Sequence, residues 1–578
     1  MTGLAWQDWT LLILAVSATI GIGLYYGRGS GKDFDSFFLG GRNLTWFVSG
    51  LSMVATTFAV DTPLSVTEMV ASNGISGNWQ WWNFVIGGML TSLFFARMWY
   101  LSGVKTEAEL ISLRYSGKAA RLLRIFKSAY LGLFINIFIM AWVNLAFISI
   151  LEVFFAIDKG TAMLVSFFLM GLIAVYSNLA GLKGVVITDN FQFLLAMLGS
   201  VLLAVLTLQS DKIGGLEGLK NQLPESAIAF FPDFSHQDPL SMFQSLPLSS
   251  FIVFIGFTWW ATWYPGNEPG GGGYIAQRIL STRSAKDASA SVFFFQLLNL
   301  GVRPWPWIIV ALCSLILYPG AGKEGYVMAM KDHLPIGVKG LMLAAFFSAY
   351  MSTISTHMNW GAGIVVNDVL PSILKNNTPQ KQVFAGRVLV FVFMLFSSIT
   401  SLYMESIKGA WQFMIECGAG LGSVLLLRWF WSRITVWSEI VATLAPILAY
   451  LILTLYNYYT QSEQDFATRF LLLFIFTTAA WLIATFVSKP EKEETLLNFY
   501  TRTQVPIGWR RFRGAKKPNP SFLYIVITWL FAVILSYGLL FTVGSALLKP
   551  LTDTFMWGFV TLISAGGVYY FGKKSVFK

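Results

Sequence analysis

The sequence predicts an all-α integral membrane protein of about 15 transmembrane helices, with a core of two inverted five-helix repeats. Composition and patterning lead there. Of 578 residues, 55% are hydrophobic and only 12% are charged, whereas a soluble globular protein carries roughly 25% charged residues. The apolar residues fall in runs of roughly 20, the length that crosses a hydrocarbon core as a helix. Two of these runs, five spans apart, contain residues that interrupt a helix.

In chain order the runs cover about 9–26, 46–69, 79–101, 128–156, 162–179, 185–208, 249–264 and 292–317, then 340–366, 388–403, 410–430, 441–456, 470–487, 522–541 and 555–571. No small-residue cleavage site follows the first run, which is expected to stay as a span. With the N-terminus outside, about 30 of the 40 Lys and Arg fall in cytoplasmic segments. The clusters Arg114, Lys118, Arg121, Arg124, Lys127 and Arg510, Arg511, Arg513, Lys516, Lys517 dominate that bias, and Lys573, Lys574 and Lys578 place the C-terminus inside. A multi-pass cell-membrane protein follows, expected in a bacterial inner membrane. The net charge of +11 is thereby explained by topology, without a nucleic-acid partner.

The long connections are 209–247 outside and 489–520 inside. The stretch Trp509-Arg510-Arg511-Phe512-Arg513 reads as a solvated loop, or as one resting on anionic membrane lipids. Cys313 and Cys417 both lie in apolar runs, so neither a disulfide nor a zinc motif is expected. No His/Asp/Glu grouping has triad or ligand spacing, which argues against an enzyme, and no organic cofactor or obligatory protein partner is indicated.

The second and seventh spans carry the interruptions. Pro63 has no N–H, which is expected to free the carbonyl of Ala59, with Asp61 and Thr62 just before the break. From Trp263 to Gly273 the sequence Trp-Tyr-Pro-Gly-Asn-Glu-Pro-Gly-Gly-Gly-Gly abolishes helix propensity. Non-helical backbone at membrane depth is tolerated where it lines a cavity or is buried in protein. A pair of broken helices an odd number of spans apart points to inverted repeats and a central transport site.

The ninth span holds the hydroxyl run Ala349-Tyr350-Met351-Ser352-Thr353-Ile354-Ser355-Thr356. The Ala349 carbonyl shares a helix face with Ser352 and Thr353. One carbonyl and two hydroxyls without formal charge suit a small hard cation such as Na⁺. The same hydroxyls can instead join helices or bond back to their own backbone.

Several short stretches resemble one family. Phe37-Phe38-Leu39-Gly40-Gly41-Arg42, the run from Tyr176 to Gln192 (YSNLAGLKGVVITDNFQ), Ile275-Ala276-Gln277-Arg278 followed by Ser284-Ala285-Lys286-Asp287, and Gly420-Leu421-Gly422-Ser423 through Arg433 are similar to motifs of the sodium/solute symporters. The resemblance runs from about residue 35 to 435 and implies a leucine-transporter-type fold and symport with Na⁺ as coupling ion. It implies an extra N-terminal helix in 1–35 and a core in 36–435, with repeats at about 42–208 and 249–430. Four C-terminal helices with a basic loop at about 489–520 would fill 436–578. It also implies a sodium site joining the first broken helix to the ninth span: carbonyls of Ala55, Phe58 and Ala349 with hydroxyls of Ser352 and Thr353.

For the solute, Asp61, Thr62 and Glu268 sit at the breaks, where a charge is a functional candidate by default. Asp61 and Glu268 either contact solute or pair with Arg303. The expected aromatic wall is Trp81, Trp82, Trp259, Trp260, Trp263 and Tyr264, which suits sugar rings or organic cations. His357, on the Thr353 face, either touches solute or serves as a hydrogen-bonded structural residue. Asp189 either lies on the ion pathway or is a hydrated interfacial carboxylate beside Lys183. Where sugar-carrying members show Asn-Gln before the Tyr-Ile-x-Gln-Arg motif, this chain has Gly272-Gly273, which departs from that pocket. The expected function is Na⁺-coupled uptake of a small polar, sugar-like solute by alternating access. Proton-coupled transport and a transporter-like sensor are the alternatives.

Overall fold

A computed structural model describes residues 4–28, 33–232, 245–264, 266–373, 378–404, 406–513 and 521–576. Pro265 of the second interruption, Lys516, Lys517, Lys578 and the stretch 233–244 of the external connection lie outside the described residues, as do the side chains of Arg510 and Arg513. The described chain is almost entirely helical, and its β content is two isolated bridges, Leu44–Thr282 and Thr262–Ala419.

The membrane helices are α1 (Trp6–Tyr26), α2 (Trp46–Thr57), α3 (Asp61–Asn73), α4 (Ile75–Ser102), α5 (Gly117–Phe155), α6 (Lys159–Leu208) and α7 (Leu248–Ala261). They continue as α8 (Gly273–Leu280), α9 (Ala285–Leu317), α10 (Val338–Ile373), α11 (Pro379–Leu402), α12 (Ile407–Cys417) and α13 (Leu421–Phe430). The chain closes with α14 (Val436–Thr460), α15 (Phe466–Val487), α16 (Phe522–Leu548) and α17 (Leu551–Lys574). Among the described residues eleven helices are long and apolar enough to cross a membrane, or twelve if the bent pair α2–α3 is one span. The sequence count of about 15 exceeds this at three places. At Gly181 (φ 58°, ψ −176°) the 50-residue α6, too long for one crossing, is two helices joined at a kink, where two spans were expected; α7 is short, and the predicted run 410–430 is split into α12 and α13.

The first break falls earlier than Pro63 predicts. The Phe58 N–H donates to Val54 O (2.9 Å) and Ala55 O (3.1 Å), tightening the end of α2, and the chain bends by 56° before α3 starts at Asp61. Pro63 thus sits in the first turn of α3, where its missing N–H costs no helical bond. The Ala59 carbonyl, expected to be free, accepts the Thr62 N–H at 3.1 Å. Asp61 and Thr62 consequently open the second half of the broken helix rather than ending the first. A carboxylate at that helix N-terminus is favoured by the exposed N–H groups.

In the second break the backbone leaves helix after Ala261 and re-enters it at Gly273. The α12–α13 junction satisfies the freed groups: the Trp263 N–H donates to Gly418 O (3.1 Å) and the Gly420 N–H to Ala261 O (2.7 Å). Two interrupted segments therefore supply each other's hydrogen bonds at membrane depth, which is what permits both. Close backbone approach requires Gly418, whose added Cβ would collide with the Trp263 backbone. In the core, α10 packs along α6, α2 along α9, and the C-terminal hairpin of α16 and α17 is held against α9 through α16.

Candidate functional site

A cavity of about 100 Å³ lies where the first break, the second break and α10 meet. Thr56, Thr57, Ala59, Asp61 and Thr62 line it from the α2–α3 junction, Gln80 and Trp81 from α4, and Trp142 from α5. Tyr264, Asn267 and Tyr274 line it from the second break and α8, Asn299 and Arg303 from α9, Thr353 and His357 from α10, and Trp411 from α12. Tyr264 is held by stacking on Phe84, with ring centroids 5.3 Å apart.

The structure brings only part of the expected wall to this cavity. Asp61, Thr62, Trp81, Tyr264 and His357 line it. Trp82 is fully buried and packs on Trp79 and Phe541, while Trp260 packs on Phe257 and Phe474. Trp259 meets Trp529, and Trp263 is buried in the core. Glu268 is buried outside the cavity lining, beside Gly272 and Gly273. Trp142 and Trp411 supply aromatic surface that the sequence reading did not assign. Their spans carried no interruption beside them, so no local signal separated them from lipid-facing aromatics.

The alternative pairing of Asp61 or Glu268 with Arg303 does not occur: among the described residues no ion pair joins them. Arg303 donates to Val54 O (3.3 Å) and Thr57 Oγ1 (2.7 Å), and its guanidinium lies 5.1 Å from the Trp307 ring centroid. Asp61 Oδ1 is buried without a hydrogen-bond partner, at the cavity. The cavity thus presents a carboxylate and a guanidinium that do not neutralise each other directly. His357 has the hydrogen-bonded role considered for it, its Nδ1 2.8 Å from Asn136 Oδ1, and the residue also lines the cavity.

Beside the cavity, α10 meets the first break. Thr353 Oγ1 donates to Thr56 O at 3.1 Å, and Ser352 Oγ donates to Asp189 Oδ1 at 2.6 Å. With both hydroxyl protons committed, the oxygen lone pairs of Ser352 and Thr353 remain for an acceptor's role. The Phe58 carbonyl accepts no hydrogen bond among the described residues, and Ala55, Phe58 and Ala349 are all buried.

Asp189 is fully buried, which rules out the hydrated interfacial reading; Lys183 lies instead against Gly40. Its Oδ2 accepts from Ser52 Oγ (2.6 Å) and faces Arg278 Nη2 at 3.5 Å. Arg278 Nη2 also donates to Thr356 Oγ1 (2.8 Å), which lies 3.3 Å from Thr56 Oγ1. Ser52, Arg278 and Thr356 thus join the carboxylate to the hydroxyl run. The sequence showed Arg278 only as part of a motif and Thr356 only as the end of the hydroxyl run.

Comparison with known proteins agrees with this architecture. The profile of the sodium:solute symporter family matches residues 37–444. A sodium/glucose cotransporter of Vibrio parahaemolyticus is 25% identical over 475 residues, covering 77% of this chain and 84% of that protein. A human sodium/iodide cotransporter is 26% identical over 416 residues, covering 67% of this chain and 59% of that one. The fold is similar to that of a Na⁺-coupled sialic acid symporter solved in a substrate-bound outward-open state, with a TM-score of 0.68 at 20% identity over 84% of this chain and 99% of that chain. The protein is a multi-pass membrane transporter, not an enzyme, and it belongs to the sodium:solute symporter family.

Proposed function

We propose that this protein is a secondary active transporter that couples the inward movement of Na⁺ to uptake of a small polar organic solute by alternating access, with a sugar-like solute preferred. The observation that carries the reading is the hydrogen bond from Thr353 to the Thr56 carbonyl. It sets the hydroxyl run of α10 against the first helix break, where carbonyls at the end of α2 lose their helical partners. The proposed ion ligands are the carbonyls of Ala55, Phe58 and Ala349 and the hydroxyls of Ser352 and Thr353. Five neutral oxygens hold Na⁺ without a compensating carboxylate, so the ion retains its charge. Each Na⁺ then brings about 2.3 kcal/mol per 100 mV of membrane potential to the cycle.

Asp189, one hydrogen bond from Ser352, is proposed to lie on the ion's path to or from that site. The two five-helix repeats are taken as about 42–208 and 249–430, with the N-terminus outside and the C-terminus in the cytoplasm of a bacterial cell. The solute cavity combines aromatic faces of Trp81, Trp142 and Trp411 with amide groups of Gln80, Asn267 and Asn299. Aromatic faces stack on sugar rings, and amides bond hydroxyls in both directions. The sodium/glucose relative is in keeping with that preference.

The test is uptake in proteoliposomes containing the purified full-length chain. A thermal-shift screen of sugars, amino acids, carboxylates and quaternary amines, with and without Na⁺, first selects the solute. Accumulation should then follow the Na⁺ gradient and persist when the proton gradient is collapsed. Accumulation driven by a proton gradient in the absence of Na⁺ would overturn the reading.

A further inference from the structure

Away from the solute cavity, two carboxylates flank one glycine. A Cβ built on Gly272 would lie 3.2 Å from Glu268 Cβ and 3.3 Å from Glu107 Oε2. Glu107 lies between α4 and α5 and Glu268 in the second break, so a loop and an unwound helix bring them together. Both are buried, at 9% and 4% exposure. Their surroundings differ.

Glu107 has support for a negative charge. Its Oε2 accepts the N–H of Gly273, the first residue of α8, and a helix N-terminus favours an anion. The other charged groups facing it are Lys127, Arg428 and Glu439. Lys127 lies 2.5 Å and Arg428 3.1 Å from the same Glu439 oxygen. Two cations thus share one carboxylate, with Arg114 and Glu491 beside them, and Glu107 is a further carboxylate within reach of their field. Lys105, at the same small cavity as Glu107, is 3.8 Å from Asp35.

Glu268 has weaker support. Among the described residues neither of its carboxyl oxygens has a hydrogen-bond partner of normal geometry, and only its own N–H and that of Gly266 are directed toward it. The charged group facing it is Glu107, itself negative, and Tyr274 is a neutral neighbour. From α4 and α9 the site is closed by Thr91 and Gln296, which carry no charge. Two buried carboxylates in one place cannot both ionise unless a cation joins them.

We propose that Glu268 and Glu107 form a proton-binding site, with the proton on Glu268 and the negative charge on Glu107. The site has a small cavity on each side. Glu268 lines a cavity of about 10 Å³ together with Asn267, which also lines the solute cavity. Glu107 lines a second cavity of about 10 Å³ with Phe38, Gln277 and Gly363. Each space is on the order of one water molecule. A movement that hydrates Glu268 lowers the cost of its charge and releases the proton, so proton binding is linked to closure of this region. The inference goes beyond Na⁺ coupling and does not depend on it.

Infrared difference spectroscopy of the full-length chain in lipid, titrated from acid to alkaline pH, tests this. The wild type should show a protonated-carboxyl band at neutral pH that is missing in Glu268→Gln and kept in Asp61→Asn. Glu107→Gln removes the neighbouring charge and should weaken proton binding at Glu268 at least tenfold, shifting loss of the band to lower pH. This second variant carries the test if Glu268→Gln does not fold. A band unchanged in Glu268→Gln, no protonated-carboxyl band at neutral pH, or a midpoint unmoved in Glu107→Gln would each overturn the proposal. A cation held between two carboxylates would give the second of these results. Na⁺-driven uptake that persists in Glu268→Gln leaves the proposed transport function intact, so the two readings fail separately.

Discussion

Ser352 on α10 donates a 2.6 Å hydrogen bond to Asp189 on α6, whose other oxygen accepts from Ser52 on α2 at 2.6 Å. One buried carboxylate thereby ties three helices together beside the first helix break. Its charge is met by Arg278 from α8 at 3.5 Å, so all four elements at this junction are held by a single polar network.

The ion site separates hydroxyls that look alike in sequence. Thr353→Ala removes a proposed ligand and the bond to Thr56 O, and Ser352→Ala removes a ligand and a bond to Asp189. Each should raise the Na⁺ concentration for half-maximal thermal stabilisation about tenfold, corresponding to about 1–2 kcal/mol per lost polar interaction. Ser355 bonds the Ser352 carbonyl on its own helix, and Ser355→Ala should leave the Na⁺ dependence unchanged.

The buried pair Asp189–Arg278 should respond unequally to single and double changes. Asp189→Ala or Arg278→Ala leaves an unpaired charge in a dry site and should cost about 3–5 kcal/mol. The double variant should recover part of that loss, because no buried charge remains unmatched. Thermal unfolding of purified protein in detergent, compared across the four members of the cycle, measures the coupling. Additive losses would show that the ion pair contributes little.

Backbone contact between the second break and the α12–α13 junction predicts a contrast between glycines. Gly418→Ala should destabilise by about 1–3 kcal/mol, since the new Cβ would sit against Trp263 backbone atoms. Gly256 has nothing within 4 Å of an added Cβ, and Gly256→Ala should fall within about 0.5 kcal/mol of the parent. Apparent melting temperatures in one detergent decide the contrast.

The cavity wall makes a parallel distinction among tryptophans. Trp142→Ala and Trp411→Ala should weaken binding of the solute found by thermal-shift screening at least about fivefold, the loss of about 1–3 kcal/mol of aromatic contact. Trp260→Ala, whose ring meets Phe257 and Phe474 away from the cavity, should change solute affinity less than threefold. Titrating solute against each variant at saturating Na⁺ reads the difference.

Much of this arrangement was legible in residue order. Charge scarcity and span length required a helical membrane protein, and Trp263–Gly273 required an unwound segment, because glycine and proline cannot hold a helix there. The spacing of Ala349, Ser352 and Thr353 placed one carbonyl and two hydroxyls on a common face, because helix periodicity is local. The position of the first break was legible only approximately. Pro63 marked the neighbourhood, but the bend came at Phe58–Val60, since proline is accommodated in the first turn of the second half.

What tertiary structure alone decided was which distant groups meet. No periodicity places Arg278 against Asp189 and Thr356, or Glu107 against Glu268, since these pairs are 78 to 161 residues apart. The choice of Trp142 and Trp411 over Trp82 and Trp260 for the cavity follows from helix rotation, set by packing rather than by composition. The sequence by itself determined a helical membrane protein with a transporter's broken-helix pattern and the face of α10 that Ala349, Ser352 and Thr353 share. The fold decided which buried ionisable groups have a counter-charge and which, like Glu268, face only a carboxylate, because a charge's cost depends on neighbours that only folding supplies.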